Sequence, residues 1–440
     1  MQRIARRNWL PQSCEQYIHS VAATVASQTA DSIGNTLNAW VEENRAIHER
    51  TCVNLNPATN VMNPKAEALL ASGIASRPSL GYPGDKYETG LEAIEKMEVL
   101  AMELAAEIFN AGFAEIRVAS GALANLYAFM AAAKPGDVII APPAEIGGHI
   151  THHSAGAAGL YGLRTHPAPV DLQNFTVDVE KVRADARLLR PKLITIGSSL
   201  NLFPHPVREI RKIADEVGAL VLFDAAHLSG LIAGRAWQQP LEEGAHIMTM
   251  STYKSLGGPA SGLILTNESR IAQRLDAIAF PGLTANFDAA KSAALAMTLL
   301  DWKVYGNEYA AAMVATAHAL AVELIARGLP VFAREREGTT SHQFAIEAAA
   351  FGGGQTAAKL LRKANILACG IGLPIEGIQG DLNGLRLGTP EIVRWGMGPR
   401  DMATLAGFIT DVLNGARRPE AVAAEVSDFR GQFTKIHFVR

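Results

Sequence analysis

Cysteine is nearly absent. Cys14, Cys52 and Cys369 are the only three in 440 residues, and an odd, widely spaced set excludes a disulfide framework and a metal knuckle. They read as buried or incidental thiols in a reducing compartment. A charge excess is lacking too: 40 Lys and Arg stand against 43 Asp and Glu, a net −3. The only basic cluster, Arg3, Arg6 and Arg7, is too short for a nucleic-acid surface. The start lacks the long apolar core of a signal peptide, and charges interrupt the Ala-rich windows before an apolar run reaches membrane length. The expectation is a cytoplasmic protein with neither nucleic-acid nor membrane partners. Nucleotide signatures are missing as well. Gly352-Gly353-Gly354 has no Lys-Ser/Thr ending, so it reads as a turn before a helix, and there is no Rossmann fingerprint.

What is present is the alternation of an α/β protein. At 440 residues the chain fits two domains, or a large one with a smaller one. Ile18, Val21, Val25 and Ile33 recur at helical spacing and predict one helix over 14–50. Thr89 is placed to cap a helix reaching 110, with Ile94, Met97, Ala101, Leu104 and Ile108 on its apolar face. Strands are expected at 115–118, 138–141, 193–196, 220–223, 246–250 and 263–265, with helices at 122–133 and 206–217 between them. A long helical region, 288–327, leads to a second part with strands at 331–332 and 342–346 and helices at 355–364 and 399–413. The tail, 430–440, is expected to be ordered if Phe433, Phe438 and Val439 find a surface.

Two apolar strands end in chemistry. Leu220-Val221-Leu222-Phe223 runs into Asp224, and the strand from His246 runs into Ser251-Thr252-Tyr253-Lys254-Ser255-Leu256-Gly257-Gly258-Pro259. Ligands of α/β sheets gather at the carboxyl ends of strands. A cleft lysine is a Schiff-base nucleophile, and a buried aspartate needs a cationic partner. The pair is what a pyridoxal phosphate site uses: Lys254 bonds the aldehyde, and Asp224 pairs with the pyridine nitrogen. His227, three residues on, is placed to bond the phenolic oxygen or shape the wall. Ser120-Gly121-Ala122, where a strand gives way to a helix, offers free N–H groups and a helix dipole to a phosphate. Ser251 and Tyr253 add hydroxyl donors. His149, His152 and His153 suggest a metal at first, but no fourth ligand lies at useful spacing; His149 reads instead as a ring over the cofactor face that also moves protons. Arg386, set among Leu385, Leu387, Gly388 and Pro390, fits a substrate α-carboxylate held in two parallel hydrogen bonds.

Together these segments resemble serine hydroxymethyltransferase over about residues 50–415. The likeness lies in Gly81-Tyr82-Pro83-Gly84, Ala119-Ser120-Gly121 with Ala124-Asn125, and Gly147-Gly148-His149-Ile150-Thr151-His152. It continues in Asp224-Ala225-Ala226-His227-Leu228-Ser229-Gly230, Thr252 to Pro259, Phe280-Pro281-Gly282 and Arg386-Leu387-Gly388-Thr389-Pro390. The resemblance implies an aminotransferase-like, fold-type I α/β architecture. A large domain (51–300) carries a mixed, mostly parallel seven-stranded sheet, followed by a smaller α+β domain (301–440) and preceded by a helical arm (1–50). It implies that Lys254 carries the Schiff base, Asp224 holds the ring nitrogen, His149 stacks on the ring and Ser199 and His227 lie near the phenolic oxygen. Ser120 and Gly121 hold the phosphate, and Arg386 the substrate carboxylate. It implies a close homodimer with shared active sites, or a dimer of dimers, in which Tyr82, Tyr87 and the loop from Phe280 through Gly282 to Asn286 serve the neighbour's cofactor.

The departures carry as much information. Leu80 stands where the family has an acid/base carboxylate before Gly-Tyr-Pro-Gly, Pro78 where it has a tyrosine, and Glu88 where it has a second tyrosine. Ala58 replaces a serine that helps bind the amino acid, Tyr253 the histidine before the lysine, and Ala285-Asn286 a glycine pair. Leucine cannot move a proton, although Glu88 restores a carboxylate nearby, and the lost tyrosine weakens the case for bound tetrahydrofolate. The leading expectation is hydroxymethyl transfer or Cα–Cβ cleavage on serine or a related β-hydroxy-α-amino acid, with His149, His152 or Glu88 as base. The alternative is a folate-independent aldolase acting on threonine, phenylserine or an α-methylserine-type substrate, with transamination or decarboxylation behind it. A non-catalytic cofactor-binding protein is disfavoured by the intact Lys254, Asp224 and Arg386.

Overall fold

The computed structural model describes residues 4–440. Its chain divides into two compact units, 1–52 and 53–440. The first contains two helices, α1 (Gln12–Val25) and α2 (Ala30–Arg45), followed by a π-helical turn, Ala46–Thr51. The single helix expected over 14–50 is therefore broken. Thr29 adopts an extended backbone and its side chain accepts from Ser32 N–H, so it starts a new helix rather than continuing the old one. Neither helix has a buried residue; Tyr17, Leu37 and Trp40 are exposed.

The second unit is organised on a seven-stranded sheet. Its strands in chain order are β1 (Phe113–Glu115), β2 (Val138–Ala141), β3 (Arg164–Pro167), β4 (Leu193–Ile196), β5 (Leu220–Asp224), β6 (Ile247–Ser251) and β7 (Gly262–Thr266). The spatial order is β1-β7-β6-β5-β4-β2-β3. Only β7 runs against its neighbours, β1 and β6; all other pairings are parallel. Every residue of β4, β6 and β7 is buried, as continuous apolar runs covered on both faces must be. β1 is shorter and earlier than its apolar residues suggested: Glu115 Oε1 accepts the Arg117 N–H at 2.7 Å and turns the chain out of the ladder. β3 has no apolar run and was not anticipated.

Helices cover the sheet by their periodic faces. Val207–Val217 buries Val207, Ile210, Ile213 and Ala214 and stops at Gly218, in the left-handed region. Glu92–Phe109 buries Ile94, Ala101, Leu104 and Ile108, while Met97 is only half-buried. Thr89 does not cap it; Leu91 occupies the N-cap, and Glu92 and Glu95 in the first turn offset the dipole instead. The 38-residue helix Ala289–Ala326, capped by Asp288, crosses residue 300 without a break. It is the one described helix long and apolar enough to cross a membrane. Here twenty of its residues are buried, against Pro64–Leu70, Glu92–Phe109 and Met402–Leu413 among others.

A second sheet, antiparallel, orders Gln343–Glu347, Gly384–Gly388 and Cys369–Ile371. Val331 makes one isolated bridge to Ile346 rather than a strand. A helix at Pro419–Gly431, not anticipated, buries Val422, Val426 and Phe429. The tail is ordered as expected: Phe438 stacks on Tyr309 at 5.1 Å, and Arg440 N–H reaches Asp301 at 2.9 Å.

Two buried histidines make this core acid-sensitive. Burial pushes His205 down to about 4, and burial with the charge of Arg386 pushes His342 down to about 3. An unfolded imidazole titrates near 6.5, so below that pH the unfolded chain takes protons first. Their contribution is intact above pH 6.5 and is lost as pH falls toward 4 and 3. The unfolding free energy of the cofactor-loaded protein, read from its urea midpoint, should fall between pH 7.5 and pH 5.5, by about 1.4 kcal/mol per histidine at the lower pH. An unchanged midpoint would show that these rings are not buried neutral.

Candidate active site

The carboxyl ends of β5 and β6 lie side by side. Their parallel register places Asp224 beside Thr249, and Ala225 N–H bonds Thr249 O at 2.8 Å. Asp224 is 3 % exposed and has partners within the chain besides the ring nitrogen expected of it. His152 Nε2 lies 2.8 Å and Asn125 Nδ2 2.9 Å from its Oδ2, and Oδ1 accepts from Ala226 N–H at 3.0 Å. Burial by itself would raise its pKa; the hydrogen bond and charge of His152, then His149 and Asn125, more than reverse this and hold it below the carboxylate range. Asn125 is the hub. Its Nδ2 also meets Thr151 Oγ1 at 2.9 Å, and its Oδ1 accepts from Thr249 Oγ1 at 2.7 Å.

Lys254 follows β6 and is 7 % exposed. Its only close polar neighbour among the described residues is His227 Nε2, at 3.1 Å. Burial lowers its pKa to about 8; Asp224 opposes the shift and Arg386 adds to it. His227 is itself held well below 6.5 by burial and by the charges of Lys254 and Arg386, so it faces the amine as a neutral ring. Its Nδ1 is buried without a partner. Gly257, at φ +69°, lets the chain turn after Lys254 where a Cβ would collide with Arg394.

The helix Gly121–Ala132 points its N-terminus into the same cavity. Ser120 is its N-cap, accepting from Leu123 N–H, which leaves the hydroxyl hydrogen and the first-turn N–H groups of Gly121 and Ala122 for an anion. A Cβ on Gly121 would collide with Ser251 Oγ, so only glycine lets the two segments approach. The cavity is lined by Ser120, Gly121, Ala122, Asn125, His149, Ser198, Ser199, Asp224, Ala226, Ser251, Tyr253 and Lys254. His149 Nδ1 receives Thr151 Oγ1 at 2.8 Å and Thr151 N–H at 3.3 Å. Thr151 N–H can only donate, so Nδ1 is the acceptor and the His149 proton sits on Nε2. Burial keeps that ring below its usual pKa.

Arg386, in the second sheet, reaches this cluster: Nη1 donates to Ser199 O at 2.5 Å and lies 3.4 Å from His227 Nε2. No carboxylate pairs with it among the described residues. His153 Nε2 bonds Pro142 O, and no three His, Cys, Asp or Glu side chains converge on a metal position among the described residues.

Of the anticipated residues, the fold thus gathers Ser120, Gly121, Ala122, His149, Ser199, Asp224, His227, Ser251, Tyr253, Lys254 and Arg386. His152 is present and bonds Asp224 through Nε2, its Nδ1 being buried without a partner among the described residues. Ala58 lies on a neighbouring turn, its N–H bonded to Asn56 Oδ1 at 3.1 Å. Tyr82, Tyr87, Glu88, Gly282 and Asn286 do not line the cavity of this chain. Asn286 accepts from Ser79 N–H at 3.1 Å, and Tyr82 and Tyr87 are exposed. The hub Asn125 was missed as a functional residue; a lone amide in an otherwise apolar helix was the available signal.

A charged carboxylate at one end, a helix N-terminus with free N–H groups at the other and a partly neutral amine between them fit pyridoxal phosphate. Capture of that aldehyde by cofactor-free protein should quicken about tenfold from pH 7 to pH 9, following an amine of pKa about 8. The visible band reports it. A hundredfold rise would indicate an ordinary lysine, and a flat profile would exclude Lys254 as nucleophile.

The family model for serine hydroxymethyltransferase matches residues 34–409. An alpha-methylserine aldolase from Ralstonia sp is 66% identical over 434 residues, 99% of each chain. One from Variovorax paradoxus is 62% identical over 434 residues, covering 99% of this chain and 98% of that one. A serine hydroxymethyltransferase from Methanopyrus kandleri is 38% identical over 391 residues, 88% of this chain and 91% of that one. The chain belongs to the serine hydroxymethyltransferase family of fold-type I pyridoxal phosphate enzymes.

Proposed function

We propose that this enzyme is a folate-independent aldolase that splits α-methylserine into formaldehyde and alanine, and joins them in reverse. The observation that carries the reading is identity of 61–66% along nearly the whole chain to proteins named alpha-methylserine aldolase. Identity to the serine hydroxymethyltransferases compared is 36–38%. Alpha-methylserine-type cleavage therefore replaces folate-linked transfer as the leading reading.

Bound pyridoxal phosphate supplies an electron sink for the pair released when a Cα bond breaks. Lys254 would anchor the cofactor through its amine, which burial keeps partly unprotonated. Asp224, held charged by His152 and Asn125, would keep the ring nitrogen protonated. Ser120, Gly121 and Ala122 would hold the phosphate. Arg386 would receive the α-carboxylate and so fix which Cα bond stands ready to break.

The base that takes the substrate hydroxyl proton needs a free lone pair. His152 bonds Asp224 through Nε2 and, with its Nδ1 buried, does not line the cavity; His149 carries its proton on Nε2, with Nδ1 occupied. Glu88 is the remaining candidate, and one of its carboxylate oxygens is buried with no partner. The hairpin pairs Gly81 with Lys86, and Tyr87 N–H bonds Leu80 O at 3.0 Å. Tyr87 thus lies across the hairpin from Leu80, where the family carries its acid/base carboxylate, and Glu88 sits one residue further on, opposite Ser79. Since this hairpin does not line its own chain's cavity, Glu88 would act in a partner subunit's site within a homodimer, with a dimer of dimers as the larger assembly. A cytoplasmic location accords with a small, odd number of cysteines.

With tetrahydrofolate omitted, α-methylserine should yield formaldehyde and alanine in equal amounts, and serine, threonine and phenylserine much less. Lys254→Ala should abolish release, and Glu88→Gln should lower kcat about 10²-fold. Serine turnover that requires tetrahydrofolate, with α-methylserine inert, would overturn the assignment.

A further inference from the structure

We infer that Cys369 and Asn56 are positioning residues that hold the guanidinium of Arg386 by one edge and leave the other edge, with its charge, for the substrate carboxylate. The inference rests on Arg386 as the carboxylate site proposed above. Cys369 and Arg386 are direct partners in the antiparallel second sheet, which places both side chains on one face. The Nε and Nη2 of Arg386 both approach Cys369 Sγ, at 3.4 and 3.2 Å. The thiol in turn donates to Asn56 Oδ1 at 3.4 Å. Asn56 is itself fixed. Its Oδ1 accepts the Ala58 N–H at 3.1 Å, and its own N–H bonds Asn54 Oδ1 at 3.0 Å. Asn54 Nδ2 is anchored on Glu391 at 2.7 Å.

The choice of sulfur has a physical consequence. An aspartate at this position would bind the fork more tightly, but it would neutralise it and compete with the substrate. A thiol is a weak acceptor with long bonds; it orients the plane of the guanidinium and leaves the positive charge in place. On the other side, Nη1 gives one N–H to Ser199 O at 2.5 Å and faces neutral His227 at 3.4 Å. The Nη1/Nη2 edge therefore retains one N–H without a partner and one in a long, weak contact. Those two are the parallel donors a carboxylate needs, and the Nε/Nη2 edge is closed to it.

The test compares alanine with alaninamide, which lacks the carboxylate, by titrating the visible band of the cofactor-loaded protein. Cys369→Ala should raise the alanine Kd about tenfold and leave alaninamide unchanged. Cys369→Ser, which preserves an acceptor and a donor, should stay within about twofold of the parent for both ligands. Cys369→Asp should weaken alanine more than Cys369→Ala does. The inference is overturned if Cys369→Ala weakens both ligands equally, or neither, while Arg386→Gln weakens alanine alone; Arg386 would then keep its role and Cys369 would lose its own. If Arg386→Gln leaves the alanine-to-alaninamide ratio unchanged, the assignment of Arg386 as the carboxylate site fails first, and the inference falls with it.

Discussion

Asp224 is a carboxylate kept charged in a place where burial favours the neutral acid. Three donors make that state stable: His152, Asn125 and the backbone of Ala226. Each comes from a different segment, so the charge exists only when the helix Gly121–Ala132, the turn at 149–153 and the end of β5 are all in place. The same negative group opposes the loss of charge at Lys254, whose pKa nonetheless falls to about 8 because burial dominates. A charged acid and a partly neutral amine thus coexist in one cavity. That asymmetry is what an electron-accepting cofactor needs on its two sides: a counter-charge for the ring nitrogen and a nucleophile for the aldehyde.

The topology explains how residues a hundred positions apart converge. Parallel β5 and β6 deliver Asp224 and the Lys254 loop to the same end of the sheet. The antiparallel β7 returns beside β6, and its first residue, Gly262, bonds Val118 O at 2.8 Å just before Ser120. That contact ties the turn at Ser120 to the strand beside the one that leads into Lys254. Arg386 arrives from the second sheet and joins Ser199 and His227 across the cleft. Leu80, Ala58 and Glu88 mark where this chain leaves the pattern of its broader family, and all three lie in the segments before the first strand of the large sheet.

Much of this was legible in the residues alone. Continuous apolar runs ending in Asp224, and a strand followed by Lys254 and small residues, identify the ends of β5 and β6, because buried parallel strands leave a plain hydropathy trace. The long helix expected over 288–327 forms as Ala289–Ala326, with Asp288 as its N-cap. Other features were hidden for stated reasons. The break at Thr29 depends on a local side-chain bond that helical periodicity does not see. Arg164–Pro167 is an edge strand with little apolar content. The partners of Asp224 and Arg386 are long-range contacts, between residues 72 and 187 positions apart, that no spacing rule encodes. The hairpin residues Tyr82, Tyr87 and Glu88 could be associated with chemistry only by resemblance, since they do not reach the cavity of their own chain.

The charge on Asp224 is most directly read from the cofactor it faces. Protein loaded with pyridoxal phosphate labelled with nitrogen-15 in the ring should give the resonance of a protonated pyridinium, unchanged from pH 6.5 to pH 9, and Asp224→Asn should shift it to that of a neutral pyridine. A neutral ring in the unaltered protein would contradict a buried, ionised Asp224 as the foundation of the site.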